Sequence, residues 1–310
     1  MIVGPTAVGK TAVALALSAH WPIEVISADS RQIYRRLDLG TAKPTRKERA
    51  RVVHQGLDLV EPGARYSAGR YAREAASWID EARNRSKLPV VVGGTGLYIR
   101  ALVEGLFHEP ALEPGRRRSL DAFAARLEPL ELLRWAERLD PGFKGGGRQR
   151  AARAIEVALL TGHPLSHWQE AARADGAIQP WYVVLTVPRP VLHQRIARRA
   201  EEMVRRGLIE EVAAVLAEGH PPGAAGLDGI GIREAVEYLH GRRTRGTVAQ
   251  AIGISTRQYA KRQETWFRHQ LAGDVVTLDA TRPPERLAEE IARLWKECRD
   301  SRRDVTRVRL

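Results

Sequence analysis

The stretch GPTAVGKT, from Gly4 to Thr11, decides the fold of this chain. It satisfies the pattern G-x-x-x-x-G-K-[ST] at every fixed position, and it lies between a short apolar segment, Ile2 and Val3, and a helical pattern that runs through Ala19. Glycines in this pattern let successive backbone N–H groups turn inward, and the following helix N-terminus adds positive potential. The stretch therefore predicts a P-loop rather than a chance glycine-rich turn. The residues predicted to contact a diphosphate or a nucleotide phosphate are Gly4, Pro5, Thr6, Ala7, Val8, Gly9, Lys10 and Thr11.

Two side chains of this loop have specific expected roles. Lys10 adds a full positive charge, and Thr11 offers a hydroxyl to a Mg²⁺ ion that bridges phosphate oxygens. Nucleotide hydrolases of this class usually end a later strand in an Asp that supports the magnesium. Here the corresponding strand ends at Val92 and is followed by two glycines, so Asp29 is the nearest candidate carboxylate. This difference argues against an ordinary nucleotide hydrolase.

Outward from the loop, short apolar segments alternate with helical patterns. Strands are predicted at Glu24–Ser27, Val90–Val92, Trp181–Val187 and Val275–Leu278, and Ser67 is placed to cap a helix. Such alternation predicts an α/β fold with a P-loop NTPase-like parallel sheet flanked by helices.

The stretch from 105 to 179 interrupts this alternation. It is helical and rich in arginine, and it shows no strand pattern. We therefore expect an inserted all-helical domain at 105–179 within a P-loop core formed by 1–104 and 180–310. A closing helix is expected from Pro284 to Cys298, followed by a basic, frayed tail from Arg299 to Leu310.

The composition narrows the class of protein. No apolar run reaches membrane-spanning length, nothing resembles a signal peptide, and the single cysteine, Cys298, excludes disulfides within the chain. These features predict a cytoplasmic protein without a membrane partner, and nothing in the sequence requires more than a monomer. Fifty basic residues against 37 acidic ones give a formal charge of +13, which favours a polyanionic partner but is also typical of arginine-rich, solvated helix faces.

Several segments together resemble the tRNA dimethylallyltransferase family, also called the isopentenyltransferase family. They occur in the family's order and cover nearly the whole chain, and the Asp-Ser and TRQ-AKRQ segments are far more specific than the P-loop alone. The matching segments are GPTAVGKT from Gly4, SADSRQIYRRLDLGTAKP from Ser27, VVVGGTGLYIRAL from Val90, RQRAARAIEVALLTGHPLS from Arg148, LHQRIARRAEEM from Leu192, GIGIREAVEYL from Gly229 and STRQYAKRQETWFR from Ser255.

The resemblance implies an activity and its partners. The family transfers a dimethylallyl group from dimethylallyl diphosphate to the exocyclic amine of the adenine just 3′ of the anticodon. The P-loop would then hold the prenyl diphosphate instead of ATP, with Mg²⁺ as cofactor. The adenine would leave the anticodon-loop stack to enter the site.

The resemblance also implies catalytic residues. Asp29 takes the role of general base, although an Asp after a strand also commonly caps a turn. Arg199 matches the family's diphosphate-binding arginine, and Arg195, one helical turn earlier, is the second candidate. Thr6 should lie near the reacting end of the diphosphate. On an arginine-rich helix, a solvated side chain is the alternative for either arginine.

Contacts with the tRNA anticodon stem-loop are expected in five parts of the chain, of which the resemblance implies three: Asp29–Gln32, Thr95 and Gln149–Arg153. Instead of contacting tRNA, Thr95 would cap the helix that follows it. Arg117 lies within a run of three arginines, and its alternative is a side chain that contacts only solvent. Gly145–Gly147 and Arg148 replace the family's usual Asn-Asp-x-x-Arg lead-in to the segment that begins at Gln149. The residues expected to contact tRNA are Asp29, Ser30, Arg31, Gln32, Thr95, Arg117, Gln149, Arg150, Arg153, Arg257 and Lys261.

Three other functions compete with this interpretation. A small-molecule P-loop kinase would explain the loop and the sheet but not the charge of +13. An isopentenyltransferase that acts on free adenine nucleotides would need no large basic insertion. An RNA-binding module with a vestigial loop is disfavoured because Lys10, Thr11 and Asp29 are all intact.

Overall fold

The computed structural model describes residues 1–105, 113–171 and 178–307, and within them six strands form one parallel sheet. The order of the strands is β3-β2-β4-β1-β5-β6, and every neighbouring pair is parallel. The predicted P-loop-type α/β fold is confirmed. The strands are β1 (Ile2–Val3), β2 (Ile23–Ala28), β3 (His54–Gln55), β4 (Leu88–Gly93), β5 (Trp181–Thr186) and β6 (Asp274–Asp279).

The described residues also form helices, which are joined to the strands by loops and turns. Their bounds are α1 (Lys10–Leu17), α2 (Arg46–Arg51), α3 (Ala68–Asn84), α4 (Gly96–Glu104), α5 (Pro114–Arg126), α6 (Pro129–Leu139), α7 (Arg148–Thr161), α8 (Leu165–Ala171), α9 (Arg189–Arg205), α10 (Leu208–Ala217), α11 (Ile232–Leu239), α12 (Arg245–Gln270) and α13 (Pro284–Arg307).

The shortest strand lies at the centre of the sheet. Ile2 of β1 is in register with Val92 of β4 on one side and with Val183 of β5 on the other. Ile2 and Val3 are buried, because helices cover both faces of a parallel sheet. This position directs the chain that leaves β1 into the P-loop, at the carboxyl edge where the ends of β2 and β4 also lie.

Local sequence signals set several helix ends. The Ser67 hydroxyl accepts a hydrogen bond from the Arg70 N–H at 3.1 Å, so the predicted N-cap of α3 is confirmed. The closing helix was predicted to end at Cys298, but α13 continues to Arg307, and the expectation of a tail frayed from Arg299 was wrong over that range. The strand β3 was not predicted, because two residues are too few to show an alternating pattern.

The chain folds as two compact units, Met1–Ile99 with Gln179–Leu310, and Arg100–Ile178. The first unit contains the sheet and its apolar core. The second has a small core of its own, in which Leu132 and Ala136 of α6 pack with Ile155 of α7. Among the described residues no helix is long and apolar enough to cross a membrane.

Candidate active site

The P-loop joins β1 to α1 with the backbone geometry that the glycines allow. Gly4 has φ +144°, and a Cβ at this position would lie 2.5 Å from the carbonyl oxygen of Leu185 in β5, so only glycine fits against that strand. The Lys10 ammonium group donates hydrogen bonds to the carbonyls of Gly4 (2.9 Å) and Pro5 (2.8 Å). The positive charge is therefore held against the loop itself.

The environment of Lys10 lowers the pKa of its ammonium group. Burial lowers the pKa of the Lys10 ammonium group from 10.5 to about 8, Asp29 acts in the opposite direction, and Arg199 lowers the pKa further. Lys10 and Asp29 line one cleft, and Arg199 is near enough for its charge to act on Lys10, although the three residues are far apart in the sequence. A lysine with a lowered pKa beside a second cation is expected where an anion binds.

Arg199 lies half-buried on α9. Burial lowers the pKa of its guanidinium group, and Asp29 counteracts that effect. Within residues 1–105, 113–171 and 178–307, no carboxylate forms an ion pair with Arg199. A half-buried cation that no described carboxylate contacts directly suits an anionic ligand, and the diphosphate contact of Arg199 stays a prediction.

Arg195, one turn earlier on α9, has a different environment. Its guanidinium group donates to the carbonyl of Val8 in the P-loop at 3.0 Å and to the carbonyl of Ala280, which follows β6, at 2.9 Å. Because these hydrogen bonds are to the protein's own backbone, we interpret Arg195 as a support of the loop. The direct diphosphate contact of Arg195 stays a prediction.

Asp29 begins the turn that follows β2. One of its carboxylate oxygens accepts a hydrogen bond from the Arg31 N–H at 2.9 Å. Asp29 therefore caps the turn, which was the alternative role predicted from the sequence. Asp29 also lines a small cleft of about 40 Å³ together with Lys10, Thr11 and Ser27. The turn hydrogen bond orients the carboxylate and is compatible with a role in this cleft.

Thr95, after β4, joins the same region. Its hydroxyl accepts a hydrogen bond from the Ser30 N–H at 3.0 Å, which ties the Asp29 turn to the start of α4. Burial and the nearby Asp29 raise the pKa of the Tyr259 phenol to about 12, while a hydrogen bond with Thr95 opposes this rise. The Tyr259 hydroxyl therefore lies beside Thr95 and within reach of the charge of Asp29.

The other residues of the Asp29 turn already have partners in the protein. Arg31 forms an ion pair with Asp228 and donates to the carbonyl of Ala225 at 3.0 Å. The Gln32 amide accepts from the Ser27 hydroxyl at 2.9 Å and donates to the Ala42 carbonyl at 3.2 Å. A contact of either side chain with tRNA would have to replace these interactions or use the groups that they leave free.

Two of the predicted tRNA contacts in the helical unit share one buried carboxylate. Glu156 of α7 forms ion pairs with Arg117 (2.5 Å) and Arg153 (2.6 Å). Gln149 and Arg150, at the start of the same helix, are exposed. Glu156 therefore holds α5 to α7 and keeps two arginines side by side, and a role for them on RNA stays a prediction.

The predicted tRNA contacts of α12 differ in exposure. Lys261 is exposed and Arg257 is half-buried, so Lys261 is the freer of the two to meet a phosphate.

Two residues that line or support the site were not predicted from the sequence. Gln263 of α12 accepts a hydrogen bond from the Thr6 N–H and donates to the Gly94 carbonyl, each at 2.9 Å. His54 lines the cleft beside Asp29, and its buried Nε2 has no hydrogen-bond partner in the part of the chain that the structure describes. Gln263 lies within the AKRQ segment, but nothing in that segment indicates that its amide reaches the P-loop.

Comparison with known proteins identifies relatives of this chain. The IPP transferase family matches residues 32–270, and the isopentenyl transferase family matches residues 1–54. The chain is 42% identical to tRNA dimethylallyltransferase 2 of Geotalea uraniireducens over 86% of this chain and 88% of that protein. It is 39% identical to a tRNA dimethylallyltransferase of Bordetella petrii over 94% of this chain and 96% of that protein.

Solved structures agree with these relatives. The tRNA isopentenylpyrophosphate transferase of Bacillus halodurans superposes with a TM-score of 0.73 at 31% identity and covers 99% of this chain and 98% of its own. A eukaryotic dimethylallyltransferase acting on tRNA superposes with a TM-score of 0.75 at 25% identity, over 90% of this chain and 73% of its own.

Proposed function

The chain belongs to the IPP transferase family, and on this premise we propose that it is a tRNA dimethylallyltransferase. It transfers a dimethylallyl group from dimethylallyl diphosphate to the exocyclic amine of the adenine 3′-adjacent to the anticodon. The products are N6-isopentenyladenosine in the tRNA and free diphosphate.

One observation supports this proposal beyond the resemblance. Lys10 and Asp29 line one small cleft at the P-loop, and the charges of Asp29 and Arg199 both influence the pKa of Lys10. The two cations suit a diphosphate, and the carboxylate suits a group that loses a proton. A kinase site would need the cations, but the carboxylate next to the phosphate loop fits proton removal from an amine particularly well.

The chemistry follows from these positions. The adenine nitrogen attacks the allylic carbon, the carbon–oxygen bond breaks, and its electron pair moves to the diphosphate oxygen. Asp29 accepts the proton that the amine loses, which typically accelerates such steps by about 10²–10⁴-fold. Lys10, Arg199 and the loop amides stabilise the charge that develops on the diphosphate.

Magnesium fits this site only as an ion shared with the diphosphate. In the described residues no group of three or more His, Cys, Asp or Glu side chains could hold a metal on its own. Thr11 and Asp29 line the same cleft, and a hydroxyl with a carboxylate suits an ion whose remaining ligands are phosphate oxygens and water. Bound there, Mg²⁺ would supply further charge stabilisation to the leaving group.

The macromolecular substrate is tRNA, as the names of the relatives indicate. The formal charge of +13 supports binding to the phosphate backbone, and the helical insertion offers a surface for the anticodon stem-loop. The target adenine is flipped out of the stack because its amine is otherwise inaccessible. We place this reaction in the cytoplasm, on a monomeric enzyme.

The test uses purified protein, Mg²⁺, labelled dimethylallyl diphosphate and an unmodified tRNA with consecutive adenines after the anticodon. We expect label in the RNA and no consumption of ATP. The Asp29→Asn variant should lose about 10²–10⁴-fold in turnover while it keeps its affinity for tRNA. The matched control is Asp80→Asn, which alters an exposed carboxylate on α3. Absence of label in the RNA together with ATP consumption would contradict the proposal and favour a kinase.

A further inference from the structure

The helix α12 reaches the P-loop through a buried amide. Gln263 is only 6% exposed, although glutamine is usually a surface residue. Its Oε1 accepts from the backbone N–H of Thr6, and its Nε2 donates to the backbone carbonyl of Gly94, both at 2.9 Å. One side chain thereby joins the phosphate loop to the loop after β4.

The local geometry is specific for this side chain. A Cβ at position 94 would lie 2.3 Å from Nε2 of Gln263, so the glycine is needed to let the amide approach. The two backbone partners need one acceptor and one donor on the same buried group. Of the side chains of this length, only a neutral amide or a protonated carboxyl provides both.

The bond to Thr6 holds the loop between the positions that other side-chain hydrogen bonds reach. Lys10 binds the carbonyls of Gly4 and Pro5, and Arg195 binds the carbonyl of Val8. Among the described residues, Gln263 supplies the contact to the amide between those positions. The orientation of the Thr6 peptide in turn decides where the following loop N–H groups point.

We propose that Gln263 is a positioning residue, which holds the P-loop in the conformation that binds the diphosphate. The inference rests on the proposed function only in that the loop binds a diphosphate. Without the amide, the Thr6 N–H and the Gly94 carbonyl lose their partners, and the loop must search for its binding conformation each time a ligand arrives.

The experiment measures binding of dimethylallyl diphosphate by calorimetry and binding of tRNA by filter retention, with transfer kinetics in parallel. For Gln263→Met, which keeps length but removes both hydrogen bonds, we expect the dissociation constant of the diphosphate to rise about tenfold. The affinity for tRNA should stay within about twofold of the wild-type value, because the protein retains its RNA surface. The matched control is Gln250→Met, an exposed glutamine of the same helix, which should leave both affinities unchanged.

A second variant gives a signature that a general packing defect would not. In Gln263→Glu, the ionised carboxylate cannot donate to the Gly94 carbonyl, whereas the protonated carboxyl can both donate and accept. Burial raises the pKa of a carboxyl group, so protonation should occur within reach of ordinary buffers. Relative to wild type at the same pH, the diphosphate-binding defect of Gln263→Glu should be large at pH 8 and shrink toward pH 5.5.

The outcomes separate the inference from the proposed function. Wild-type affinity in Gln263→Met, equal losses of diphosphate and tRNA affinity, or a defect of Gln263→Glu that does not vary with pH would each overturn the positioning role. If Gln263→Met does not fold, the pH profile of Gln263→Glu decides. Failure of the wild-type protein itself to bind the diphosphate would instead overturn the proposed function.

Discussion

The lowered pKa of Lys10 predicts how diphosphate binding depends on pH. With a pKa of about 8 instead of 10.5, Lys10 loses its proton within the range where the protein can be assayed. The charged form attracts the diphosphate and the neutral form does not. Affinity should therefore be highest below pH 8 and fall as the pH rises through that value.

The size of the effect follows from the fraction of Lys10 that is charged. With a pKa of about 8, roughly nine-tenths of Lys10 is protonated at pH 7 and roughly one-tenth at pH 9. If only the protonated form binds, the dissociation constant rises about tenfold between pH 7 and pH 9, and about tenfold again by pH 10. Titration of the ligand itself contributes little to this pH dependence above pH 7.5, because the second ionisation of a phosphate ester lies near pH 6.

The contribution of Lys10 to the free energy of unfolding should rise over the pH range in which the affinity for diphosphate falls. General alkaline damage would lower both, so the two measurements distinguish the causes. Between pH 8 and 10.5 the unfolded chain holds a proton on Lys10 that the ligand-free folded protein has lost. The contribution of Lys10 to the free energy of unfolding therefore rises with pH in this window.

The assay is calorimetric titration with dimethylallyl diphosphate from pH 7 to pH 10, repeated with Lys10→Met. That variant should bind weakly and show no inflection near pH 8. A wild-type dissociation constant that stays flat over this range, or the same slope in Lys10→Met, would refute the assignment of the pKa to Lys10.

Two further predictions concern stability and RNA binding. The Lys43 side chain is 1% exposed, and it donates to the Tyr34 carbonyl at 2.6 Å and pairs with Asp58 at 2.5 Å. Lys43→Met should therefore lower the free energy of unfolding by about 3 kcal/mol in urea, whereas the exposed Lys47→Met should change it by less than about 0.5 kcal/mol. A loss below about 1 kcal/mol for Lys43→Met would show that the pair is not effectively buried. Lys261→Ala should reduce the slope of log affinity for tRNA against log salt by about one, and an unchanged slope would place Lys261 away from the RNA.

Local patterns predicted the fold more completely than the site. The P-loop, the alternating strands and the Ser67 cap are each determined within a few neighbouring residues, so the sequence alone reveals them. The contact between Gln263 and Thr6 spans 257 positions, and no local pattern encodes it. Arg195 and Arg199 lie one turn apart on the same arginine-rich helix. Only their surroundings in the structure tell them apart. Arg195 donates to backbone carbonyls, whereas Arg199 forms no direct ion pair among the described residues and feels the charge of Asp29.

The charges of the site connect proton removal with departure of the diphosphate. The charge of Asp29 acts on both Lys10 and Arg199, and burial lowers the pKa of both cations. In the proposed mechanism, Asp29 becomes neutral when it accepts the proton of the adenine amine, and it then no longer offsets those cations. Their full charge then acts on the leaving diphosphate as its own negative charge grows.

The same reasoning separates binding from chemistry in Asp29→Asn. Because this variant removes the negative charge beside the cations, it should bind dimethylallyl diphosphate at least as tightly as the wild type, although its turnover falls. Parallel measurement of affinity by calorimetry and of transfer in a single turnover tests the point. If affinity and rate fell together, Asp29 would hold the diphosphate, through its metal ion, more than it acts as the base.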